Sequence, residues 1–218
     1  MENLQKITEV TFTKESRAFC SECDFLKSRC LCSTLKVLNN QTHLIILQHP
    51  SEQKHPLNTV RIMKKSFQNI SLLIGEDFSS DLRLNTVLAD STKSCALLYP
   101  EADATILNLN TPSPQITHLI IIDGTWRKAK KIYGLSQNLK HIPKLRLIPE
   151  QQTDYRIRKS PNENALSTLE AAASALKILE PRLETKSLLD SFHFMIDYQI
   201  KKMGREIYQN NYLDKKKE

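Results

Sequence analysis

Four of the five cysteines lie within thirteen residues, at a spacing suited to a metal ion. They read Cys20-x2-Cys23-x6-Cys30-x-Cys32. Zinc prefers four thiolates arranged as a tetrahedron, and closely spaced pairs let one turn deliver two ligands. A reducing compartment disfavours a disulfide here, and a redox CxxC lacks the expected βαβ setting around Cys23. The spacing therefore predicts a structural zinc site, whereas Cys95 is expected in the core.

A second group of reactive residues is Asp123-Gly124-Thr125-Trp126, which follows the clearest apolar run and precedes a basic segment. Gly124 permits a tight turn, and Thr125 suits the N-cap of a following helix. A carboxylate at the end of a strand can orient a substrate or accept a proton. Asp123 is thus the candidate catalytic residue, with Thr125 and Trp126 beside it. From spacing alone, a plain turn followed by a core tryptophan remains the alternative.

The third group is Ser167-Thr168-Leu169-Glu170, which fits a capping box with Ser167 as the N-cap and Glu170 three residues later. Three alanines follow at 171–173, and such small side chains let another backbone or a flat ligand come close. A helix N-terminus also suits an anionic group. A plain helix start is the alternative interpretation.

Positive charge is concentrated in one stretch of the chain. Residues 127–159 contain ten basic and two acidic side chains, a net +8, whereas the whole chain carries a formal +7. Charge concentrated in this way is expected for a polyphosphate partner such as RNA. A solvated basic face is the alternative.

Short apolar runs alternate with helical patterns along the chain. Strands are predicted at 44–48, 70–74, 95–99, 116–122 and 145–148. Helices are predicted at 58–67, 81–89, 126–133 (closed by Gly134), 167–179 and 184–203. This order predicts an α/β fold, a mostly parallel sheet with helices on both faces. Ligands of such sheets bind beyond the carboxyl ends of the strands, so Gln48-His49-Pro50, Tyr99-Pro100 and Asp123–Trp126 are natural places for chemistry.

The length of 218 residues suits one α/β domain with a small appendage. We expect a four-cysteine zinc-binding segment at 1–40, a catalytic domain at 41–205 and a flexible tail at 206–218. No apolar run approaches the roughly 20 residues that span a bilayer, and the first fourteen residues have no apolar signal region. The sequence therefore predicts a cytoplasmic protein without membrane contact.

Taken together, these motifs resemble the DTW-domain family of tRNA-uridine aminocarboxypropyltransferases, over about residues 20–180. Each piece alone is weak or moderate, but their order and spacing together are specific. Members often carry Arg-Pro inside the cysteine loop, where this chain has Phe25-Leu26. The matching segments are the four cysteines, His49-Pro50-x-Glu52 with Asn58-Thr59, Leu98-Tyr99-Pro100, Asp123–Trp126 with Ala129-Lys130-Lys131, Tyr155-x2-Arg158-Lys159-x-Pro161, and Leu166-Ser167-Thr168-x-Glu170-Ala171.

The resemblance implies a SPOUT-like fold whose C-terminal part forms a knotted cofactor pocket. It also implies a reaction in which the 3-amino-3-carboxypropyl group of S-adenosylmethionine moves to N3 of a uridine in tRNA, and methylthioadenosine leaves. The sulfonium activates all three attached carbons, so positioning decides which one meets the nucleophile. Uridine N3 carries a proton and is a poor nucleophile while neutral, so Asp123 is the candidate to orient or deprotonate it.

The resemblance and the positions of the motifs suggest two further residue sets. Candidates to line the cofactor pocket, together with Asp123, are Leu98, Tyr99, Pro100, Leu166, Ser167 and Thr168. Candidates for RNA phosphate contacts are Arg127, Lys130, Lys131, Arg158 and Lys159.

Two other functions fit parts of this pattern. A SPOUT-like RNA methyltransferase would need the same sulfonium and the same basic surface. A zinc-ribbon RNA-binding protein without catalysis would use the cysteines and the basic segment, but it would leave Asp123–Trp126 and the capped helix at Ser167 without a special purpose.

Overall fold

Within the residues that the structure describes, six strands, all parallel, form one sheet. The computed structural model describes residues 18–108, 115–148, 156–157 and 166–213. The strands are β1 His43–Gln48, β2 Ile70–Ile74, β3 Cys95–Leu98, β4 Thr105–Leu107, β5 His118–Asp123 and β6 Lys144–Leu147. Their order across the sheet is β2-β1-β5-β3-β6-β4. The predicted α/β fold is confirmed; β4 was missed because three residues are too few to show a pattern.

Helices cover both faces of this sheet. They are α1 Val60–Ser66, α2 Leu82–Ala89, α3 Trp126–Leu135, α4 Thr168–Leu179, α5 Lys186–Met203 and α6 Arg205–Tyr208. All five predicted helices are present, with ends shifted by a few residues. The predicted end of α3 at Gly134 is wrong, because the backbone N–H of Ser136 still donates to the carbonyl of Ile132 and continues the helical bonding past the glycine.

The chain after α5 is helical in part of the segment that was expected to be a flexible tail. Helix α6 is followed by a π-helical stretch at Gln209–Leu213. The side chains of Tyr208 and Tyr212 are partly buried against the main core, and their rings stack 5.8 Å apart. Aromatic burial thus gives this segment a defined position up to residue 213.

Alternate side chains of the two central strands enter two separate cores. Ile45 and Ile120 pack with α2 and α3 on one face, here called the α3 face. Leu44 and Leu119 pack with α1, α4 and α5 on the opposite face, the α4 face. Burial on both faces explains the nearly continuous apolar runs of β1 and β5, which are typical of covered parallel strands.

The cysteine-rich segment packs onto the α4-face core. Phe25 and Leu31, which lie between the cysteines, are almost completely buried in the cluster that also contains residues of α1 and α5. This burial gives Phe25 a structural purpose in the fold. The segment 18–40 is therefore attached to the domain through its own hydrophobic side chains.

Helix α4 is fixed at both ends. At its start, Ser167 and Glu170 form the predicted capping box: the Ser167 hydroxyl accepts from the Glu170 amide, and the Glu170 carboxylate accepts from the Ser167 amide. At its end, the Glu180 carboxylate accepts hydrogen bonds from the backbone amides of Gln41 and Thr42, at 2.8 and 2.7 Å. The helix is thereby tied to the amino-terminal edge of the sheet just before β1.

Two expectations from the sequence concern the overall architecture. Within the part of the chain that the structure describes, none of the helices combines the length and apolarity needed to cross a membrane. The expected knot depends on the path of the chain between β6 and α4, and most of that segment lies outside the described residues.

Candidate functional site

A buried carboxylate at the carboxyl edge of the sheet forms the centre of the candidate site. Asp123 ends β5 and is only 8% exposed. Its neighbour in register on β1 is Gln48, which is also buried. The Gln48 Nε2 donates a hydrogen bond of 2.8 Å to the Asp123 Oδ2. Two adjacent strand ends thus share a polar pair in the middle of an otherwise apolar sheet.

The second oxygen of Asp123 is bonded to helix α4. The Thr168 hydroxyl, on the first residue of that helix, donates to the Asp123 Oδ1 at 2.5 Å. Both carboxylate oxygens therefore accept hydrogen bonds, as an ionised carboxylate does. The structure brings the two motifs that begin at Asp123 and Ser167 into direct contact, although they lie more than forty residues apart.

The turn after Asp123 starts helix α3. The Thr125 side chain caps this helix and accepts from the backbone amide of Lys128 at 3.4 Å, as predicted. A Cβ at Gly124 would lie 3.0 Å from the Lys128 Cβ and 3.6 Å from the His49 Cβ, so the glycine lets α3 begin close to β1. Trp126 is 45% exposed at the first position of the helix, and the interpretation of it as a core aromatic is wrong.

The sequence-predicted cofactor residues divide between the two faces of the sheet. Leu98 packs with the α4-face core, and Thr168 contacts Asp123. Leu166, half-buried, precedes the cap. Ser167 is buried with its hydroxyl in the capping box. Leu98 is paired with Ile121, two residues before Asp123 on β5, and the other three residues lie at the start of α4.

Tyr99 and Pro100 lie further from this group. The Tyr99 ring packs with the α3-face core and stacks on Tyr133 of α3, with the ring centroids 4.3 Å apart. The Tyr133 hydroxyl donates to the Glu101 carboxylate at 2.8 Å, and the Lys144 ammonium lies 3.3 Å from the same carboxylate. Burial raises the pKa of Tyr99. Pro100 is exposed at the end of β3.

Two amide residues of the site had no role assigned from the sequence, where Gln48 is named only in a strand-end segment and Asn58 only in a family segment. Gln48 also contacts Asn58, whose Oδ1 lies 3.3 Å from the Gln48 Nε2. The signal that points to Gln48 is a polar residue at the end of an apolar strand, but it does not show the contact with Asp123. Asn58 gave a weaker signal, because its contact with Gln48 depends on the fold of the intervening loop.

Helix α3 presents three of the predicted phosphate-binding residues on one stripe. Arg127, Lys130 and Lys131 are spaced i, i+3 and i+4, and all three are exposed. The Lys131 ammonium forms an ion pair with the Glu76 carboxylate at 2.5 Å, and the other oxygen of Glu76 lies 2.6 Å from the His49 Nε2. Part of the positive charge of this helix is therefore balanced inside the molecule. The other two predicted residues, Arg158 and Lys159, lie outside the described residues.

The four clustered cysteines converge on one point. Their sulfur atoms all lie within 4.8 Å of one another, and the Cys20–Cys32, Cys20–Cys30 and Cys23–Cys30 separations are 3.6, 3.6 and 3.7 Å. These separations are too long for disulfides. A tetrahedral zinc with Zn–S bonds of about 2.3 Å needs sulfur–sulfur edges of about 3.8 Å. The cluster is thus compatible with zinc, and Cys95 lies apart from it in β3.

Hydrogen bonds within the turn favour the thiolate form of Cys20. Hydrogen bonds from the backbone amides of Cys23 and Glu22 to the sulfur of Cys20 lower the pKa of this thiol to about 6. The thiolate is the form that binds metals. The turn that brings Cys20 and Cys23 together therefore also favours the charged ligand.

A family comparison agrees with this arrangement of motifs. The model of the DTW domain matches residues 17–200, which include the cysteine cluster, Asp123 and the start of α4. The chain belongs to the DTW-domain family. In this chain, the contact between Asp123 and Thr168 joins the Asp123–Trp126 motif to the capped helix.

Three curated relatives are similar over most of this DTW-domain chain. The "tRNA-uridine aminocarboxypropyltransferase 2" of Mus musculus is 40% identical over 176 residues, 76% of this chain and 58% of the mouse protein. The Drosophila melanogaster protein of the same name is 34% identical over 191 residues, 83% of this chain and 74% of the fly protein. The "tRNA-uridine aminocarboxypropyltransferase A" of Arabidopsis thaliana is 27% identical over 219 residues, covering 85% and 82%. The chain spans less than two thirds of the mouse protein. No solved structure matches it.

The Glu76 contacts predict a pH-dependent contribution to stability. The hydrogen bond from Lys131, and more weakly that from His49, keeps the pKa of Glu76 below its ordinary value. For a lowered carboxyl pKa, the stabilisation is present above the unfolded-state pKa and is lost as the pH falls through the folded-state pKa. Glu76→Gln is therefore expected to lower the urea midpoint at pH 7. The difference from wild type should begin to shrink near pH 4 and disappear once the pH is below the folded-state pKa of Glu76.

The exposed Glu206 of α6 provides a matched control. Glu206→Gln should leave the urea midpoint unchanged at both pH values. A difference between Glu76→Gln and wild type that is as large at low pH as at pH 7 would show that the ion pairs do not stabilise the fold.

Proposed function

We propose that this protein transfers the 3-amino-3-carboxypropyl group of S-adenosylmethionine to N3 of a uridine in tRNA and releases methylthioadenosine. The names of the curated relatives support this reaction class. The structural observation that carries the proposal is the contact of Asp123 with Gln48 and Thr168. It concentrates the polar groups of three sequence motifs at the carboxyl edge of the sheet, where ligands of parallel sheets bind.

Asp123 is the proposed catalytic residue. When bound, S-adenosylmethionine supplies a carbon activated by the sulfonium. The Asp123 carboxylate orients the uridine N3–H or accepts its proton, and the hydrogen bonds from Gln48 and Thr168 fix the direction of its oxygens. The residues of this chain thus supply orientation and charge to the reaction.

The start of α4 is the proposed binding region for the donor. The N-terminal end of a helix attracts anionic groups such as the donor carboxylate. Thr168 connects this helix end to Asp123, and Leu98 and Leu166 provide apolar surface nearby. Tyr99 and Pro100, at the end of β3, form the outer part of the proposed pocket. Positioning by these residues selects the aminocarboxypropyl carbon over the methyl carbon.

The proposed RNA surface is the exposed stripe of α3. Arg127 and Lys130 are exposed, and within the described part of the chain neither forms an ion pair. Lys131 extends the stripe next to Glu76. Trp126 lies at the end of the helix that is closest to Asp123, and an exposed indole can stack on an unpaired base. RNA phosphates bound by these lysine and arginine side chains would place the target uridine beside Trp126.

The alternatives receive less support from these observations. A methyltransferase would use the same donor, but the names of the relatives specify aminocarboxypropyl transfer. A zinc-binding RNA module without catalysis does not explain why Asp123 is buried with hydrogen bonds to two other elements, because burying a carboxylate costs free energy that only such partners offset.

Zinc bound to Cys20, Cys23, Cys30 and Cys32 is also part of the proposal. Four thiols at tetrahedral separations form a closed site, which is structural in proteins. Zinc there stabilises the segment that carries Phe25 and Leu31 into the core. A cytoplasmic location belongs to the same proposal, because thiols that bind a metal stay reduced there.

The zinc proposal predicts one zinc ion per chain in protein purified without chelators. Cys30→Ser is expected to abolish zinc binding and lower the melting temperature, because metal binding and local folding are coupled. Cys95→Ser, outside the cluster, should retain the zinc. Elemental analysis of the three proteins measures this, and wild-type protein without zinc would contradict the site.

The RNA proposal predicts that Arg127→Ala/Lys130→Ala weakens tRNA binding and reduces its salt dependence. Two lost phosphate contacts should lower the slope of log affinity against log salt by about two. Lys177→Ala/Lys201→Ala removes the same charge from exposed positions on α4 and α5, and it should leave the slope unchanged. Equal slopes for both double variants would show that the α3 stripe is only a solvated face.

The catalytic proposal predicts that wild-type protein forms aminocarboxypropyluridine in tRNA. Asp123→Asn keeps the shape of the side chain but removes its charge, and single-turnover rates should fall by roughly 10²–10⁴-fold, the usual contribution of acid–base catalysis. Nucleoside mass spectrometry identifies the product, because a methyl and an aminocarboxypropyl group differ greatly in mass. The donor affinity of Asp123→Asn, measured by calorimetry, and its melting temperature should stay close to the wild-type values.

Asp190→Asn, on the exposed surface of α5, is the control for this carboxylate-to-amide change. Near-normal chemistry in stably folded Asp123→Asn would exclude the residue from the mechanism. Loss of melting temperature and donor affinity together would instead show that Asp123 mainly supports the turn at Gly124.

A further inference from the structure

Two buried amide side chains, Gln48 and Asn58, continue the hydrogen bonding from Asp123. Gln48 is only 1% exposed, and Asn58 is also buried. The Gln48 Nε2 donates to two oxygens, the Asp123 Oδ2 at 2.8 Å and the Asn58 Oδ1 at 3.3 Å. Burying two amides in this position costs free energy unless their hydrogen bonds are made. Their presence beside the only carboxylate of β5 therefore calls for a physical explanation.

The orientation of the Asn58 amide is fixed by groups that can act in one way only. Its Oδ1 accepts from the backbone amide of Val60 at 3.0 Å, and a backbone N–H can only donate. Its Nδ2 donates to the backbone carbonyls of Glu52 and Gln53, at 3.1 and 3.4 Å. Exchanging the oxygen and nitrogen of this amide would break all three contacts.

The fixed Asn58 amide in turn fixes Gln48. Since the Asn58 Oδ1 faces Gln48, the group of Gln48 that meets it must be the donor, Nε2. The same Nε2 also faces Asp123, so the carboxylate oxygen there must accept. Backbone groups of the loop after β1 and of the first residue of α1 thus ensure, through two amides, that Asp123 receives a hydrogen bond from the sheet.

We propose that Gln48, oriented by Asn58, is a positioning residue that sets the plane of the Asp123 carboxylate for the reaction. This inference rests on the proposed function, since it assigns a role toward the same uridine. Gln48 fixes one oxygen from the sheet and Thr168 fixes the other from α4. A carboxylate bonded from two different elements cannot rotate without breaking one bond, so it meets the substrate in one orientation.

The test is Gln48→Glu, which keeps the size of the side chain and replaces the donor nitrogen by an oxygen. Two carboxyl groups within hydrogen-bond distance share a proton, which raises the apparent pKa of the pair. The single-turnover rate at neutral pH should fall at least about tenfold, and the acid limb of the pH–rate profile should move upward by about one unit or more. Affinity for tRNA should stay within about twofold of wild type.

Among the described residues, three other titratable side chains on the neighbouring elements have partners of their own. Glu170 accepts from the Ser167 amide, Glu52 pairs with Lys128, and His49 contacts Glu76. Gln68→Glu, at an exposed position, provides a control with the same charge change, and its pH profile should be that of wild type. Gln48→Met removes the donor without adding charge, so it should lower the rate with a smaller shift of the acid limb.

A melting comparison tests the contact without using activity. In Gln48→Glu the carboxyl pair is repulsive only when ionised, so the loss of melting temperature should be largest at neutral pH. It should shrink as the pH falls through the raised pKa of the pair and be small below about pH 4. If the wild type is active and a folded Gln48→Glu variant has the same pH profile as the wild type, the positioning role is overturned. An inactive wild type would contradict the proposed function instead, and the melting comparison would then decide whether Gln48 and Asp123 interact.

Discussion

The hydrogen bond between the Thr168 hydroxyl and the Asp123 carboxylate joins the two parts of the candidate site. Helix α4 runs from the carboxyl edge of the sheet, where this bond lies, to the amino edge, where Glu180 accepts from the amides of Gln41 and Thr42. Contacts at both ends leave the helix little freedom to slide along the sheet. The polar groups of the site therefore meet only when the α4 face is fully packed.

The register of β1 against β5 is the second constraint. Gln48 and Asp123 are partners in the ladder, and the four preceding pairs, such as Leu47 with Ile122, are buried apolar residues. A shift of one residue would move every side chain of one strand to the other face. It would move the side chains of that strand into the opposite core, where their shapes do not fit, and turn Asp123 away from Thr168. Core packing thus specifies the geometry of the polar pair.

The features predictable from the sequence are those carried by local patterns. The apolar runs, the Thr125 cap and the Ser167–Glu170 capping box involve neighbours in the chain, and all are present. The contacts that could not be predicted join strands that are distant in sequence. Gln48 meets Asp123 because β1 lies beside β5, whereas Tyr99 faces Tyr133 on the opposite face from Thr168 because successive strand residues alternate. Such contacts follow from the order of the strands in the sheet, and this order cannot be predicted from a local sequence pattern.

The four residues from Asp123 to Trp126 connect the two faces of the sheet edge. Asp123 points to the α4 face, and three residues later Trp126 begins a helix that packs on the other face. Gly124 makes this short crossing possible, since a side chain there would meet Lys128. Because α3 also carries the basic stripe, a polyanion bound to that helix is only one turn of chain away from the buried carboxylate. In the proposed reaction this turn sets the distance between the side chains of α3 that bind RNA phosphates and the Asp123 carboxylate that meets the uridine. A longer connection would move these two groups apart.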